Sequence, residues 1–196
     1  MQEEQTQEMQ TKEKTKKKSS FLKDLVKDII VAIVIVLAIT MIIKPTIVKE
    51  ESMLNTLQPN NYLIVNKLAY KAKDHPQRGD IIVFRSELDK NGKENILLIK
   101  RVIGVEGDTI EFRDDQVYRN GKAIHEDYLY KEDPERRCYP DGEAFTVGKD
   151  ELFTMGDHRS VSRDSRDPDV GMVSEDRVLG KAFLRLYPFN EMGLLK

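Results

Sequence analysis

The run ILLIKRVIGVEG, Ile96 to Gly107, has the composition of a buried β-strand, rich in Ile, Leu and Val and bounded by turn residues. Strand side chains alternate, so Leu98 and Val102 share one face while Ile99 and Ile103 share the other. Both faces are apolar, yet Lys100 and Arg101 stand in the middle. Desolvating a cation without a partner costs on the order of several kcal/mol, comparable to the stability of a domain. The two neighbours point to opposite faces and need separate explanations. Arg101 stays charged and demands a buried carboxylate, whereas Lys100 can release its proton and become a general base. The other reading keeps Lys100 charged, on a strand with one wet face or snorkelling to the surface.

The chain of 196 residues fits one domain of ordinary size plus appendages. Its net charge of -2, with no basic cluster on an expected folded element, argues against a nucleic-acid partner. Cys138 is alone and can form no intramolecular disulfide; with His75, His125 and His158 scattered, it completes no zinc-ligand spacing. No metal site and no organic cofactor is expected.

Residues 1–24 are polar and basic and read as a mostly disordered cytoplasmic tail. Residues 25–44 read as a transmembrane anchor: the apolar run Ile29 to Ile43 spans about 22 Å as a helix, and Leu25, Val26 and snorkelling Lys27 and Lys44 extend it toward the roughly 30 Å hydrocarbon core. A cleavable secretory signal would need a small-residue site after the apolar run, and Lys44 to Glu51 (KPTIVKEE) offers none. A buried core helix is the third reading, disfavoured because no polar stripe interrupts the run. Lys12, Lys14, Lys16, Lys17, Lys18, Lys23 and Lys27 precede the span, while Lys44 and Lys49 follow it closely. Positive residues remain inside, so the amino terminus is expected in the cytoplasm, with residues 45–196 outside a cytoplasmic membrane crossed once.

Beyond Pro45 the pattern turns strand-like. Tyr62 to Leu68, Ile81 to Arg85, Ile96 to Val105, Leu152 to Met155 and Lys181 to Tyr187 read as strands, and Ser174 to Val178 as at best one short turn or helix. Asn91-Gly92 predicts a tight hairpin folding the Ile81 strand onto the strand of Lys100, and Asn120-Gly121 predicts another from Thr109 to Ile124. Glu126 to Gly148 reads as a loop or small excursion, within a broader excursion over about residues 106–150. The fold class is mainly β.

Ser52 opens the segment SMLNTL shortly after the expected membrane exit. A serine alone carries little weight; paired with a neutral lysine it becomes a nucleophile with its base. A rival Ser-His-Asp reading through His158 and Asp157 lacks a nucleophile motif, and adjacent residues rarely face each other. Gly156 to Arg166 (GDHRSVSRDSR) is either a solvated charged loop or a segment wrapping back on Lys100, with an aspartate for Arg101 and a serine hydroxyl orienting the amine.

Four ordered boxes now stand out: Ser52-Met53, RGDIIVF from Arg78 to Phe84, KRVIG from Lys100 to Gly104, and GDHRSVSRDSR from Gly156 to Arg166. Together they resemble the signature boxes of bacterial type I signal peptidases, in the Gram-positive form with one span. The resemblance implies a β-rich Ser-Lys protease fold with a β-hairpin excursion. It further implies Ser52 as nucleophile, Lys100 as general base, and Ser162 hydrogen-bonded to the Lys100 amine. Asp164 and Arg166 would form a structural ion pair, Asp157 would face Arg101, and Met53 would pack beside the nucleophile. The implied activity is removal of signal peptides from exported preproteins bearing small residues before the cut, by an enzyme held in the lipid bilayer. Three positions depart from the family pattern: Glu50 where Ser or Gly is usual, Asn55 where proline is usual nearby, and His158 where Asn is usual. Glu50 and Asn55 keep open a non-catalytic assembly factor for secreted or pilin-like subunits; a purely structural tethered β domain with Lys100 charged and exposed is the other alternative.

Overall fold

The structure, a computed structural model, describes residues 23–71, 74–86, 96–131 and 142–195. The chain divides into two compact units, Met1–Ile42 and Ile43–Lys196. Within the first, helix α1 runs Lys23–Ile42 and is long and apolar enough to cross a membrane. Leu25, Ile30, Val34 and Leu37 are exposed along it, as expected of side chains whose solvent is not water.

Among the described residues the second unit has twelve strands: β1 (Ile43–Ile47), β2 (Tyr62–Asn66), β3 (Ile81–Ser86), β4 (Ile96–Gly104), β5 (Thr109–Arg113), β6 (Gln116–Arg119), β7 (Lys122–Ala123), β8 (Ala144–Thr146), β9 (Glu151–Met155), β10 (Val173–Ser174), β11 (Val178–Tyr187) and β12 (Gly193–Leu194). An eight-stranded antiparallel sheet has the order β1-β2-β11-β3-β4-β9-β10, with β12 added to β11. A four-stranded sheet, β7-β6-β5-β8, forms the excursion.

β3 and β4 read as continuous apolar runs because the main sheet is covered on both sides. Ile81 and Val83 join Met53, Leu57, Leu63, Val65 and Ala182 in one cluster. Ile82 and Phe84 join Leu98, Val102, Leu152 and Val173 in another. The excursion has its own core of Ile110, Phe112, Val117 and Val147, continued by Ile103, Phe153 and Met155 from the main sheet.

Two sequence expectations need revision. The helix stops at Ile42, so Lys44, expected at its end, stands on β1 opposite Val65. Pro45 ends helical geometry but is tolerated on β1 because this strand is the sheet edge. The hairpin expected around Asn120-Gly121 is a meander: that turn joins β6 to β7, while β5 and β6 already reverse at Asp114 and Asp115, both at positive φ. An Asp-Asp pair tolerates left-handed geometry without the glycine that would have announced the turn. β1, β8, β10 and β12 add pairings that the sequence did not suggest. The Asn91-Gly92 turn, Cys138 and lysines 12–18 lie outside the described residues. The β3–β4 pairing itself is antiparallel as expected, with Ile82 opposite Lys100 and Ile81 opposite Arg101.

Candidate active site

Beyond β1 the chain turns tightly. Leu54 N–H donates to Glu51 O at 3.0 Å and Leu57 N–H to Met53 O at 2.7 Å. Met53 and Leu57 are fully buried in the core beneath this turn, and that burial fixes where Ser52 stands. Asn55 has φ of +77°, a left-handed conformation that proline cannot adopt and asparagine tolerates. Its departure from the family pattern therefore has a backbone reason.

Lys100 reaches the turn from β4. Its Nζ lies 2.6 Å from Ser52 Oγ, in hydrogen-bond contact. Lys100 is 1% exposed and Ser52 7%. Burial among Ile82, Leu98 and Val102 pushes the Lys100 pKa down; the negative charges of Asp164, Glu50 and Asp157 oppose that shift and Arg166 reinforces it. The alternative of an exposed lysine fails on that burial.

Arg101, on the other face, meets a carboxylate. Its Nε donates to Asp157 Oδ1 at 2.9 Å and its Nη2 to Asp157 Oδ2 at 2.8 Å, a bidentate pair. Thr56 Oγ1 donates to the same carboxylate, and the guanidinium lies 4.0 Å from the centre of the Tyr128 ring. Burial would lower the Arg101 pKa, but its bond to Asp157 overrides this and raises it. Since Asp157 gives both oxygens to Arg101, it does not form a Ser-His-Asp relay; the His158 ring instead packs on Tyr130 at 4.5 Å.

The Gly156–Arg166 loop does wrap back on the site. His158 N–H donates to Ser52 O at 3.0 Å, joining the loop to the Ser52 turn. Asp164 pairs with Arg166 through Nε at 2.8 Å and Nη2 at 2.9 Å, and accepts the Gly156 N–H at 2.9 Å. Burial would raise the Asp164 pKa, but Arg166 holds it below the ordinary carboxylate range. Gly156 has no room for a side chain: a Cβ would lie 2.3 Å from both Ser162 Oγ and Ser52 O. One expected contact is missing. Ser162 Oγ is buried and makes no hydrogen bond to Lys100, whose amine contacts Ser52; it lies instead by the Asp164 carboxylate, whose pKa it helps to lower.

A cavity of about 830 Å³ opens beside Ser52, walled by Lys44 to Glu50 on one side and Ile96 to Ile99 on the other. β9 pairs with β4 only from Arg101 onward, so among the described residues Ile96–Lys100 has a strand partner only in β3. β1 likewise is an edge. The groove thus lies between two strand edges, with Glu50 exposed on its lining.

Sequence reasoning missed the contribution of the excursion. Glu126 forms a buried ion pair with Arg159, Tyr128 lies against Arg101, and Tyr130 covers His158. A second arginine needing a carboxylate was visible in the loop, but nothing in the charged stretch around Glu126 distinguished its partner.

A hydroxyl held by a buried amine beside a groove between two strand edges is suited to acyl transfer by a serine hydrolase of mainly β fold. Comparison with known proteins specifies the class. The model of the family described as signal peptidase, peptidase S26, matches residues 22–187. The chain is 36% identical over 160 residues to signal peptidase I T of Bacillus subtilis, covering 79% of each chain. To signal peptidase IB of Staphylococcus aureus it is 33% identical over 163 residues, covering 76% of this chain and 81% of the relative. A crystal structure of a signal peptidase I from Enterococcus faecalis is 33% identical, covering 56% of this chain and 98% of that one with a TM-score of 0.44. The chain belongs to the signal peptidase family, and it is a serine endopeptidase that cleaves signal peptides from preproteins. The assembly-factor alternative is not favoured by these matches.

Proposed function

We propose that cleavage runs through Ser52 as nucleophile and Lys100 as general base. The observation that carries this is the 2.6 Å contact between Lys100 Nζ and Ser52 Oγ in a site where burial favours the neutral amine. Neutral Lys100 accepts the Ser52 hydroxyl proton as Oγ attacks the scissile carbonyl, and the Ser52 N–H donates to the developing oxyanion. The resulting ammonium returns its proton to the leaving amine. Lys100 then activates a water that releases the acyl-enzyme. Asp157 and Arg101, and Asp164 and Arg166, hold the loop and strand in register, while Met53 anchors the turn from below.

The substrate lies as an extended strand in the groove between β1 and β4, with small side chains preferred at the first and third positions before the cut. Residues 25–44 anchor the enzyme in the cytoplasmic membrane with the amino terminus inside and the catalytic domain, residues 45–196, outside. Tethering enzyme and preprotein to one bilayer raises their effective concentration.

The test is cleavage of a preprotein carrying a small-x-small site by the full chain in detergent. Ser52→Ala and Lys100→Ala are each expected to abolish release of the mature protein while remaining folded. Undiminished cleavage by either variant would remove the dyad.

A further inference from the structure

The excursion touches every segment that builds the site. From the nucleophile turn, Asn55 Nδ2 donates to Tyr128 O at 3.4 Å. From β4, Arg101 stacks on the Tyr128 ring. From the loop, Tyr130 N–H donates to Asp157 O at 3.1 Å and the Tyr130 ring covers His158. Arg159 closes the set: it pairs with Glu126 through both terminal nitrogens, its Nε donates to Gly156 O at 3.0 Å, and the two side chains are only 3% and 7% exposed. Tyr128 Oη donates to the same Glu126 carboxylate at 2.8 Å.

These contacts converge on one hydrogen bond. His158 N–H holds the Ser52 carbonyl, and residues 157 and 159 on either side of it are gripped by Tyr130 and Glu126. A surface excursion that served only as a lid would have no need to bury a carboxylate against an arginine of this loop. Removing that carboxylate would take a buried counter-charge from Arg159 in a dry setting, so the pair is a strong constraint on where the loop lies.

We propose that residues 126–130 form a positioning strap, in which Glu126 and Tyr130 set the Ser52 turn against Lys100 by fixing the Asp157–Arg159 backbone. The proposal rests on the reading of Ser52 and Lys100 as the dyad. Glu126 and Tyr130 touch neither reacting atom; they act through His158 and Arg159. Displacement of a catalytic group by about 1 Å is enough to cost on the order of a hundredfold in rate. A loosened turn would also admit water to Lys100 and move the pH at which the enzyme becomes active.

The experiment uses the full chain in detergent with a small-x-small preprotein, measuring kcat, KM, thermal unfolding and the acid limb of the pH–rate profile. Tyr130→Ala, which keeps the backbone N–H and removes the ring from His158, is expected to lower kcat roughly tenfold or more with KM little changed. Its acid limb should move to higher pH, and Tyr130→Phe should restore both. Glu126→Gln/Arg159→Gln, a neutral amide pair that spares the fold an unpaired buried charge, should show the same kcat loss and the same limb shift. Folded Tyr130→Ala and double-variant proteins with wild-type kcat and an unmoved acid limb would overturn the strap, as would a kcat loss that tracks lowered thermal stability with the limb unmoved. Ser52→Ala, run alongside, separates the two readings: if it retains cleavage the dyad fails, whereas its inactivity beside wild-type strap variants fails the strap alone.

Discussion

Lys100 and Arg101 are consecutive residues of β4, both cationic by type and both buried, yet the two faces of the strand treat them oppositely. On one face Arg101 is bidentate to Asp157, stacked on Tyr128 and raised in pKa. On the other, Lys100 contacts a neutral hydroxyl among aliphatic side chains and is lowered in pKa. Burial opposes the charge on both. What decides the outcome is whether a carboxylate makes direct contact: the Asp157 pair overrides desolvation, whereas the charges of Asp164 and Glu50 act on Lys100 only through space. One face therefore holds a fixed ion pair and the other an amine whose pKa burial lowers.

The largest expected effect tests the Lys100 face. Lys100→Met keeps an apolar stem of similar length, so the domain should fold, while loss of a general base should lower kcat/KM by about 10²–10⁴-fold. Urea titration and preprotein cleavage on the same sample check both halves. The variant also carries a pH signature. Since folding lowers the lysine pKa, the folded state binds fewer protons between the folded and unfolded values, and stability rises with pH across that window, levelling above the unfolded value. Lys100→Met should flatten that rise.

The Arg101 face should respond as structure. Asp157→Ala leaves a guanidinium buried without its carboxylate and is expected to cost about 3–5 kcal/mol, read from denaturant unfolding. Should Asp157→Ala instead unfold like wild type and lose only activity, the division of labour between the faces would be wrong. Gly156→Ala probes the seam where Ser52 O and Ser162 Oγ converge. Overpacking there should cost about 1–3 kcal/mol and displace the nucleophile, so cleavage at a temperature well below unfolding should fall more than stability predicts.

The finest discrimination concerns Glu50, whose charge raises the Lys100 pKa from the groove lining. Glu50→Gln removes that support for the ammonium. The acid limb of the cleavage profile should move to lower pH, by less than about one unit because Glu50 is exposed and screened. An unmoved limb would mean that solvent screens Glu50 from the dyad entirely.

Much of the strand content was legible because β3 and β4 are rich in Ile, Leu and Val and apolar on both faces, with Lys100 and Arg101 the charged exceptions in β4. Local sequence was less informative where pairing alone creates a strand. β1 contains Lys44 and Pro45 and is extended because β2 lies beside it. The four boxes pointed to Ser52, Lys100 and the partner of Arg101, and the geometry pairs Arg101 with Asp157, pairs Asp164 with Arg166 and brings Lys100 to Ser52. Ser162 was expected on Lys100 and is not bonded to it, since residue type specifies that a hydroxyl can donate but not which way the amine turns.

The sequence by itself determined the apolar helix, the mainly β body, the two cations at the centre of β4 and the serine that follows the helix. These are properties of composition and period, which act over a few residues. Only tertiary structure decided that burial lowers the Lys100 pKa while a carboxylate raises that of Arg101, and that Glu126, Tyr128 and Tyr130 of the excursion grip the site. Burial and Coulomb energy depend on distance through space, and the residues that set them here are separated by up to about a hundred positions of chain, so no local pattern could record them.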